Sequence, residues 1–470
     1  MLQKTFKIPP HLQQCISADQ AFHYRIVPVA KNDAGLVLKT DNNALKELLA
    51  ELDIVLNSKV VLEHCSSEDL QQYLTTNYRQ GKGQEISKFG YTNDFLERIL
   101  LEAKAIGSSD IHFEPYENQC RVRLRLDGKL LEYYNIPLQD YPTMVNKIKI
   151  RAHLDISEKR LPQDGRITVN SNGREFDIRV SSLPTLHGEK LVLRILSRDT
   201  GSIELGELGL TDLELNRYRE GIRKPNGIVL ISGPTGSGKT TTLYATLKQL
   251  NDGATNILTI EDPIEYTLEG VNQVQLKENI GLDFASALRT FLRQDPDIIM
   301  VGEIRDVKTA NMAIRAALTG HLVLSTIHTN SAWATVSRLV DMGVPAFLIA
   351  STLNMSVAQR LVRKLCNSCK RKEPIDPNAF PSGFAIPKNL EYHHVAVGCN
   401  DCHHTGYSGR KAIYEILPIS KELAPSIKNN ELQIDSYLEE NGIPTLQRNA
   451  LDLVLQGVTS IEEVYALLSH

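Results

Sequence analysis

Apolar positions divide the chain into three patterns, and the first covers residues 1–80. The runs YRIVPVA and GLVLKT predict a strand pair, and DLQQYLTTNY predicts a short helix. NNALKELLAELDIVL has apolar residues at helical spacing, with Asn42 or Asn43 in position to cap the helix. The polar, glycine-rich segment RQGKGQEISKFG predicts a linker near residues 79–90. We therefore predict a small N-terminal domain over residues 1–80.

The second pattern runs from residue 91 to residue 204. NDFLERILLEAKAIG predicts an amphipathic helix that ends at Gly107. Strand-like runs follow it, namely SDIHFEP, CRVRLRLDGKLLEYY and RITVNSNGREFDIRVS. The dipeptides Asp-Gly at 127–128 and Asn-Gly at 172–173 are hairpin-turn signals. This pattern predicts an α+β middle domain with an antiparallel sheet over residues 91–204.

Strand-like and helical runs alternate from residue 205 to residue 415. Such alternation predicts a parallel, doubly wound sheet. The runs GIVLIS, NILTI, DIIMVG and HLVLSTI have the length and composition of buried strands. The last segment, residues 416–470, has mostly helical patterns. The predicted fold class is α/β, with this third domain following the α+β domain and the small N-terminal domain.

Length and composition limit the classes of protein to consider. A chain of 470 residues exceeds one ordinary domain, and three domains fit both the length and the patterns. The formal net charge of −4 and the single tryptophan give no basic, aromatic-rich surface for nucleic acid. No apolar run approaches the roughly 20 residues that span a bilayer, and the first residues lack the apolar core of a signal peptide. We therefore expect a cytoplasmic protein that meets membranes only through partners.

The segment GIVLISGPTGSGKTTTLYATLKQL places a glycine-rich loop between a predicted buried strand and a predicted helix. Residues 233–240 fit the pattern GxxxxGK[ST] of phosphate-binding loops in the required context. Glycines let backbone N–H groups approach phosphate oxygens, and the helix N-terminus adds a favourable dipole. Lys239 would reach the β- and γ-phosphates of ATP, and Thr240 would offer its hydroxyl to Mg²⁺. The predicted binding residues are Gly233, Pro234, Thr235, Gly236, Ser237, Gly238, Lys239, Thr240 and Thr241.

Polar residues follow three of the other predicted strands. Glu261 and Asp262 follow NILTI, Glu303 follows DIIMVG, and His328 follows HLVLSTI. Parallel strands end at the sheet edge where ligands bind, so we expect these side chains to converge on the nucleotide. Glu303 fits an acid that orients Mg²⁺ through water or polarises the attacking water, and Glu261 and Asp262 could share those tasks. The alternative is that the acids only cap loops and that His328 is a strand-end hydrogen-bonding residue.

Two CxxC pairs, separated by 29 residues, form a strong signature for tetrahedral zinc. The proline-rich spacer contains PIDP, FPSG and IP, and it has little apolar surface to bury without a metal. A site with four cysteines is closed and therefore structural rather than catalytic. The alternative is a disulfide or redox role. The predicted ligands are Cys366, Cys369, Cys399 and Cys402.

Long stretches of the chain resemble the type II secretion and type IV pilus assembly ATPases. The resemblance is strong from about residue 90 to the end and loose before residue 80. The tetracysteine motif is typical of the secretion and pilus-extension members, and retraction motors typically lack it. The matching stretches are KRLPQDGR, RVSSLPTLHGEKLVLRIL, GPTGSGKTTTLYATL, TIEDPIEY, LRQDPDIIMVGEIRD, ALTGHLVLSTIHTN and GYSGRKAIYEIL.

The resemblance implies a PAS-like middle domain and a RecA-like motor domain. The motor would work as a homo-oligomer, in the form of a hexameric ring. It places Glu261, Asp262 and Glu265 in an aspartate box and makes Glu303 an atypical Walker B acid. A histidine box would span 321–328. ATP, Mg²⁺ and structural Zn²⁺ are the implied ligands, and the implied location is the cytoplasmic face of the inner membrane.

By the same resemblance, the middle domain lends arginines to the nucleotide. An arginine neutralises the charge that builds up on the transferring phosphoryl group. Arg166 and Arg179 are the preferred pair, because both lie on strand-like segments within matching motifs. ATP would clamp the middle domain onto the motor domain, and hydrolysis would relax the clamp. The candidates are Arg160, Arg166, Arg179 and Arg194.

Two biological roles fit this class of motor. One is assembly of a type IV pilus, competence pili included, and the other is type II protein secretion. An inner-membrane platform protein is the expected partner, and the N-terminal domain would dock on a membrane-anchored protein. The alternative classes are a RecA-like nucleic-acid motor, which the acidic composition disfavours, and an adaptor that binds ATP without turnover, which the intact Lys239 and Glu303 disfavour.

Overall fold

The computed structural model describes residues 8–469, with short gaps. The gaps are residue 14 and residues 17–19, 22–23, 33–34, 43–44, 46–47, 50–51, 53–54, 57–58, 78–86, 172–173, 197–202 and 388–389. The chain forms two compact units. One comprises Met1–Ser87, Leu365–Ser408 and Gly457–His470, and the other comprises Lys88–Lys364 and Gly409–Gln456.

The N-terminal part of the first unit is a three-stranded sheet. Its strands are β1 (Ile26–Asn32), β2 (Gly35–Thr40) and β3 (Val60–His64), and its described helices are Pro10–Gln13 and Ser67–Asn77. The antiparallel pairing of β1 with β2 confirms the predicted strand pair, and β3 runs parallel to β2. The predicted helix at 42–56 and the predicted linker near 79–90 lie largely outside the described residues.

The second unit begins with an antiparallel sheet, as the middle pattern predicts. The sheet has the order β4-β7-β6-β5-β10-β9-β8. The elements are β4 (Ser87–Lys88), helix Phe95–Ala105, β5 (Asp110–Pro115), β6 (Cys120–Leu126), β7 (Lys129–Ile136), helix Tyr141–Arg151, β8 (Gln163–Ser171), β9 (Arg174–Thr185) and β10 (Gly188–Leu196).

Alternation along CRVRLRL shows why this sheet has one core face. Val122 and Leu124 are buried, and the arginines between them point to the other face, which is partly exposed. The helices cover the apolar face, where Phe95 and Ile99 join the same core. The Asp127-Gly128 turn has positive φ at both positions, as the two-residue hairpin requires. The Asn-Gly signal at 172–173 lies outside the described residues.

The rest of the second unit is built on a seven-stranded sheet with the order β13-β12-β14-β15-β11-β16-β19. The first six strands in this order run parallel to one another. The strands are β11 (Gly227–Ser232), β12 (Ile257–Glu261), β13 (Asn272–Gln275), β14 (Ile298–Val301), β15 (Leu322–Ile327), β16 (Leu353–Leu365) and β19 (Tyr407–Pro418).

Helices alternate with these strands, as expected for an α/β fold. Strands β11, β12, β14 and β15 are buried along their whole length, which explains their continuous apolar sequences. The helices are Asp212–Ile222, Lys239–Leu250, Phe284–Phe291, Val307–Leu318, Ala334–Asp341, Ala346–Thr352, Ala424–Lys428, Asp435–Glu440 and Leu446–Leu455. The parallel register brings the carboxyl ends of the four buried strands to one edge.

In the chain, the remaining segments of the first unit come between β16 and β19 and at the C-terminus. A short antiparallel pair, β17 (Arg371–Pro374) and β18 (Tyr392–Val395), stands within the cysteine-containing insertion. Helix Ile461–Leu468 closes the chain and is capped by Ser460, whose hydroxyl also bonds with Tyr407 at 2.7 Å. In the part of the chain that the structure describes, no helix has the length and apolar character needed to cross a bilayer.

Candidate functional site

The phosphate loop connects β11 to helix Lys239–Leu250. Gly233, Gly236 and Gly238 all have positive φ, so the loop needs glycine at these positions. A Cβ on Gly233 would lie 2.5 Å from the Gln359 carbonyl oxygen and 2.7 Å from the Ser237 hydroxyl. The missing side chains therefore leave a cradle of backbone groups at the start of the helix.

Two polar groups of the loop fit a bound phosphate chain. The Ser237 hydroxyl is buried, and no described group hydrogen-bonds with it. The Lys239 ammonium donates to the carbonyl oxygens of Gly233 at 2.8 Å and Pro234 at 3.0 Å. Burial is the main cause that lowers the pKa of Lys239, and the charge of Arg360 acts in the same direction. Phosphate oxygens would give Ser237 a partner and Lys239 a counter-charge.

Glu303 lies two residues beyond β14, at the same edge as the phosphate loop. Its largely buried carboxylate forms an ion pair with Arg305, and the nearest His328 nitrogen, Nε2, is 3.7 Å away. The structure thus brings Glu303 and His328 together, as the strand pattern predicts. Arg305 was not among the predicted site residues, although its place in the GEIRD stretch is a local signal.

Glu261 has a different environment from Glu303. Its buried carboxylate accepts hydrogen bonds from the Tyr244 hydroxyl, from Thr259 Oγ1 at 2.6 Å and from Gln273 Nε2 at 3.1 Å. Tyr244 lies on the helix that follows the phosphate loop, so Glu261 links the end of β12 to that helix. Asp262 is exposed. Of the two, Asp262 is the acid that is open to a ligand.

The two histidines of the predicted histidine box lie at opposite ends of β15. His328 follows the carboxyl end and is exposed. His321 precedes the strand, with Nδ1 2.8 Å from the Ala316 carbonyl oxygen and 3.2 Å from Thr319 Oγ1. In this structure His321 therefore contacts the end of the preceding helix, and His328 lies at the sheet edge that carries the phosphate loop.

Three of the four arginine candidates form a row across the antiparallel sheet of the second unit. Arg166, Arg179 and Arg194 are register partners on β8, β9 and β10. Arg179 Nη2 donates to the Ile264 carbonyl oxygen at 2.6 Å, and its Nη1 is 3.2 Å from Glu265. The preferred pair therefore shares one face, and one member of it contacts the predicted aspartate box.

The other two candidates differ in their partners. Arg194 donates from Nε to Asp110 at 2.8 Å, and hydrogen bonding to this carboxylate raises the pKa of Arg194. Arg160 lies before β8, is almost fully exposed and pairs with Glu158 at 3.3 Å. Arg160 thus stands apart from the row, whereas Arg194 belongs to it.

The four predicted zinc ligands lie together. Their Sγ atoms are all within 4.8 Å of one another, and the closest pairs are 3.7–3.8 Å apart. A disulfide needs a sulfur–sulfur distance of about 2 Å. Tetrahedral zinc with Zn–S bonds of about 2.3 Å places its sulfurs about 3.8 Å apart. The separation therefore fits a metal-binding cluster and excludes disulfides within it.

Backbone N–H groups point at the cluster from two sides. Gly398 donates to Cys369 Sγ at 3.3 Å, and Gly406 donates to Cys402 Sγ at 3.2 Å. Such N–H···S bonds stabilise thiolates around a metal. His403 and His404, which follow the last cysteine, are not among the clustered donor groups that the structure describes.

Comparison with known proteins decides the family. The family described as "Type II/IV secretion system protein" matches residues 85–466. The chain belongs to this family. The resemblance inferred from the motifs is thereby confirmed.

Two relatives with different names are equally similar in sequence to this family member. The type IV pilus assembly ATPase PilB of Myxococcus xanthus is 47% identical over 372 residues, which are 78% of this chain and 66% of that protein. Type II secretion system protein E of Pseudomonas aeruginosa is 47% identical over 374 residues, which are 78% of this chain and 74% of that protein. The chain thus spans about two thirds of the length of its pilus assembly relative.

Solved structures of related motors share the fold. The pilus retraction motor PilT with bound ADP has a TM-score of 0.53 at 28% identity and covers 78% of this chain and 95% of its own. The ATPase DotB of Legionella pneumophila has a TM-score of 0.60 at 23% identity and covers 81% of this chain and 97% of its own. This family member therefore has the fold of the P-loop secretion ATPases.

Proposed function

We propose that this chain is an ATP-hydrolysing motor that powers the assembly of a type IV pilus, competence pili included. One observation carries the proposal. Glu303 and His328 follow β14 and β15, β15 pairs with the phosphate-loop strand β11, and all three strands end at one edge. An acid beside a phosphate cradle is the arrangement that nucleotide hydrolysis needs.

Each residue at the edge has a task in this proposal. Lys239 would bind the β- and γ-phosphates, and Thr240, exposed in the first helical turn, would hold Mg²⁺. Mg²⁺ neutralises phosphate charge when it is bound. Glu303 would orient the attacking water, His328 would sense the γ-phosphate, and Asp262 would assist from the end of β12.

The row of arginines would supply positive charge from the middle domain. Arg166 is exposed and free to approach phosphate, and Arg179 would exchange its contacts with Ile264 and Glu265 for the nucleotide. ATP binding and hydrolysis would then change the position of the middle domain, because only ATP carries the γ-phosphate charge. The working form would be a hexamer.

The cysteine cluster would hold a structural zinc ion. Four thiolates complete a tetrahedral shell and leave no position for water, so the ion would stabilise the insertion rather than take part in hydrolysis. The motor would act at the cytoplasmic face of the inner membrane, on a platform protein, with the N-terminal domain docked on a membrane-anchored partner.

Type II protein secretion is the second candidate. Type II secretion system protein E matches this chain with the same identity, 47%, as PilB does, and the match covers a larger share of its length. Both candidates use the same ATPase chemistry and differ only in the fibre that the motor extends.

Phosphate release by the purified full-length protein with MgATP tests the ATPase proposal. We expect Lys239→Ala to lower the hydrolysis rate by at least about 100-fold, because it removes the positive charge that would stabilise the transferring phosphoryl group. Lys248→Ala, an exposed change on the same helix, should retain the rate. A Lys239→Ala variant with the rate of the unmodified protein would end the proposal.

Deletion of the gene separates pilus assembly from secretion. We expect loss of surface pili, restored by the unmodified gene and not by the Lys239→Ala gene. Normal piliation with loss of secreted proteins would favour the second candidate.

A further inference from the structure

We propose that Arg360 is a positioning residue that couples the phosphate loop to segment 329–333, which follows His328. The inference rests on the proposed function, in that a nucleotide binds the phosphate loop. It adds a residue on β16, a strand that none of the predicted site residues occupies.

The strand order places Arg360 beside the phosphate loop. β16 runs parallel to β11, with Ser232 opposite Ala358, so Gln359 and Arg360 extend β16 past the end of β11. A Cβ on Gly233 would lie 3.1 Å from Arg360 Nη1. β15 flanks β11 on its other side. His328 and Arg360 therefore stand on opposite flanks of the same loop.

The second nitrogen of the guanidinium reaches the segment after His328. Arg360 Nη2 donates to the Asn330 carbonyl oxygen at 3.1 Å, and Asn330 Oδ1 lies 3.4 Å from it. Nη1 donates to the Gln359 carbonyl oxygen at 3.0 Å. One planar group thus contacts β16 and segment 329–333 while it lies against Gly233. The rigid fork of arginine suits this bridging geometry, and the single ammonium of a lysine does not.

Segment 329–333 is anchored at its far end to the C-terminal helices of the second unit. The buried carboxylate of Glu415 accepts from the Ala332 N–H at 2.7 Å and from the Leu446 N–H at 3.1 Å. The Trp333 indole donates to the Glu431 carbonyl oxygen at 2.8 Å. A displacement of Asn330 therefore reaches residues that hold the helix Leu446–Leu455.

Charge gives a reason for Arg360 to respond to nucleotide. The guanidinium is half-buried, and among the described residues no carboxylate oxygen lies within ion-pair distance of it; the Glu415 carboxylate acts on it only from farther away. Its charge acts on Lys239 across the phosphate loop. A triphosphate in the loop would place an anion close to the guanidinium and would attract Arg360 more strongly than a diphosphate does. The contact with Asn330 would then differ between the ATP and ADP states, which is the condition for coupling.

The protein contains its own probe of this coupling. Trp333 is the only tryptophan in the chain, is 5% exposed, and lies three residues after Asn330. Its fluorescence therefore reports on segment 329–333 without a label.

The experiment records Trp333 emission of the full-length protein during titration with a nonhydrolysable ATP analogue and with ADP, both with Mg²⁺. Calorimetry measures the binding of the same nucleotides separately. We expect saturable emission changes that differ between the two nucleotides. In Arg360→Ala we expect the nucleotide affinity to stay within about tenfold of that of the unmodified protein, which is a change of at most about 1.4 kcal/mol. We also expect this variant to lose most of the emission change.

Two further variants isolate the role of the guanidinium. Arg360→Lys keeps the charge without the fork, and we expect an intermediate emission change. Lys364→Ala, an exposed cation on the same strand, should respond as the unmodified protein does. If Arg360→Ala fails to fold, as judged by circular dichroism, Arg360→Lys decides alone, and a full response in it would overturn the proposal.

The outcomes separate this inference from the proposed function. A full emission change in Arg360→Ala would reduce Arg360 to a structural residue and overturn the coupling. Nucleotide binding without any change at Trp333 in the unmodified protein would do the same, as would loss of calorimetric binding in Arg360→Ala, which would make Arg360 a ligand. Absence of nucleotide binding to the unmodified protein would instead remove the proposed function.

Discussion

Glu303 and Arg305 form an ion pair at the carboxyl edge of the central sheet, two residues apart in the chain. The Glu303 side chain is 16% exposed and that of Arg305 is 58% exposed. An ion pair with such an exposed partner contributes about 0–1 kcal/mol to stability. The ion pair can therefore help to orient the Glu303 carboxylate without fixing its position. Glu303 remains accessible to a water molecule or to Mg²⁺.

Substitution of the two partners should therefore have unequal effects. We expect Glu303→Gln to bind ATP but to lower the hydrolysis rate at least about 100-fold, since a general base is lost. Arg305→Ala should change the rate by less than about fivefold, in line with a weak ion pair. Phosphate release measures the hydrolysis rate of each variant, and calorimetry measures its binding of ATP. Equal losses in the two variants would show that Arg305 has a larger role than its exposure allows.

Tyr244→Phe tests whether the hydrogen bond between Tyr244 and Glu261, which links β12 to the phosphate-loop helix, stabilises the fold. The substitution leaves a buried carboxylate with one donor fewer, and we expect the free energy of unfolding to fall by about 1–3 kcal/mol. Denaturant unfolding measures the change. Tyr91→Phe is the control, because the Tyr91 hydroxyl is on an exposed side chain and has only a 3.4 Å contact with Asn93. Unchanged stability in Tyr244→Phe would mean that the link is not structural.

Metal content tests the cysteine cluster. We expect about one zinc per chain, and Cys366→Ser with Cys399→Ser should lower metal content and thermal stability together, because metal affinity is linked to folding. Elemental analysis and thermal unfolding with and without a chelator measure both quantities. Cys65→Ser, which changes a cysteine outside the cluster, should leave the metal content unchanged. A metal-free protein of full stability would refute the zinc site.

Acid should weaken the antiparallel sheet of the second unit through Glu114. Although burial opposes ionisation, hydrogen bonds from Arg123 and Lys190 lower the pKa of Glu114 from 4.5 to about 2. A carboxyl with a lowered pKa in the folded state contributes stability that is present above pH 4.5 and is lost as pH falls toward about 2.

The Glu114→Gln variant checks this pH dependence. It should be less stable at neutral pH and should lose less stability than the unmodified protein across that window. Melting temperatures between pH 7 and pH 2 measure the effect, in buffers of about equal ionic strength. Glu97→Gln, which changes a carboxylate that is 60% exposed, is the control. Parallel curves for Glu114→Gln and the unmodified protein would contradict the assignment.

The phosphate loop and the cysteine motif can be predicted from the sequence alone. Both depend on short local spacings: the glycines of 233–238 and Lys239 lie within seven consecutive residues, and two residues separate the members of each cysteine pair. Backbone conformation in such segments depends mainly on nearby residues, since only glycine adopts the required positive φ without strain. The alternation of strands and helices likewise follows from the period of apolar positions.

Contacts between residues that are distant in the chain could not be predicted from the sequence and are seen in the folded protein. Strand pairing aligns Arg166, Arg179 and Arg194 in one row, and the order of the parallel strands brings Arg360 to Gly233. Acids at the carboxyl ends of neighbouring strands also have different surroundings, because the Glu261 carboxylate points inward to Tyr244. Such contacts depend on strand order, register and side-chain direction, which arise from packing of the whole sheet and not from local spacing.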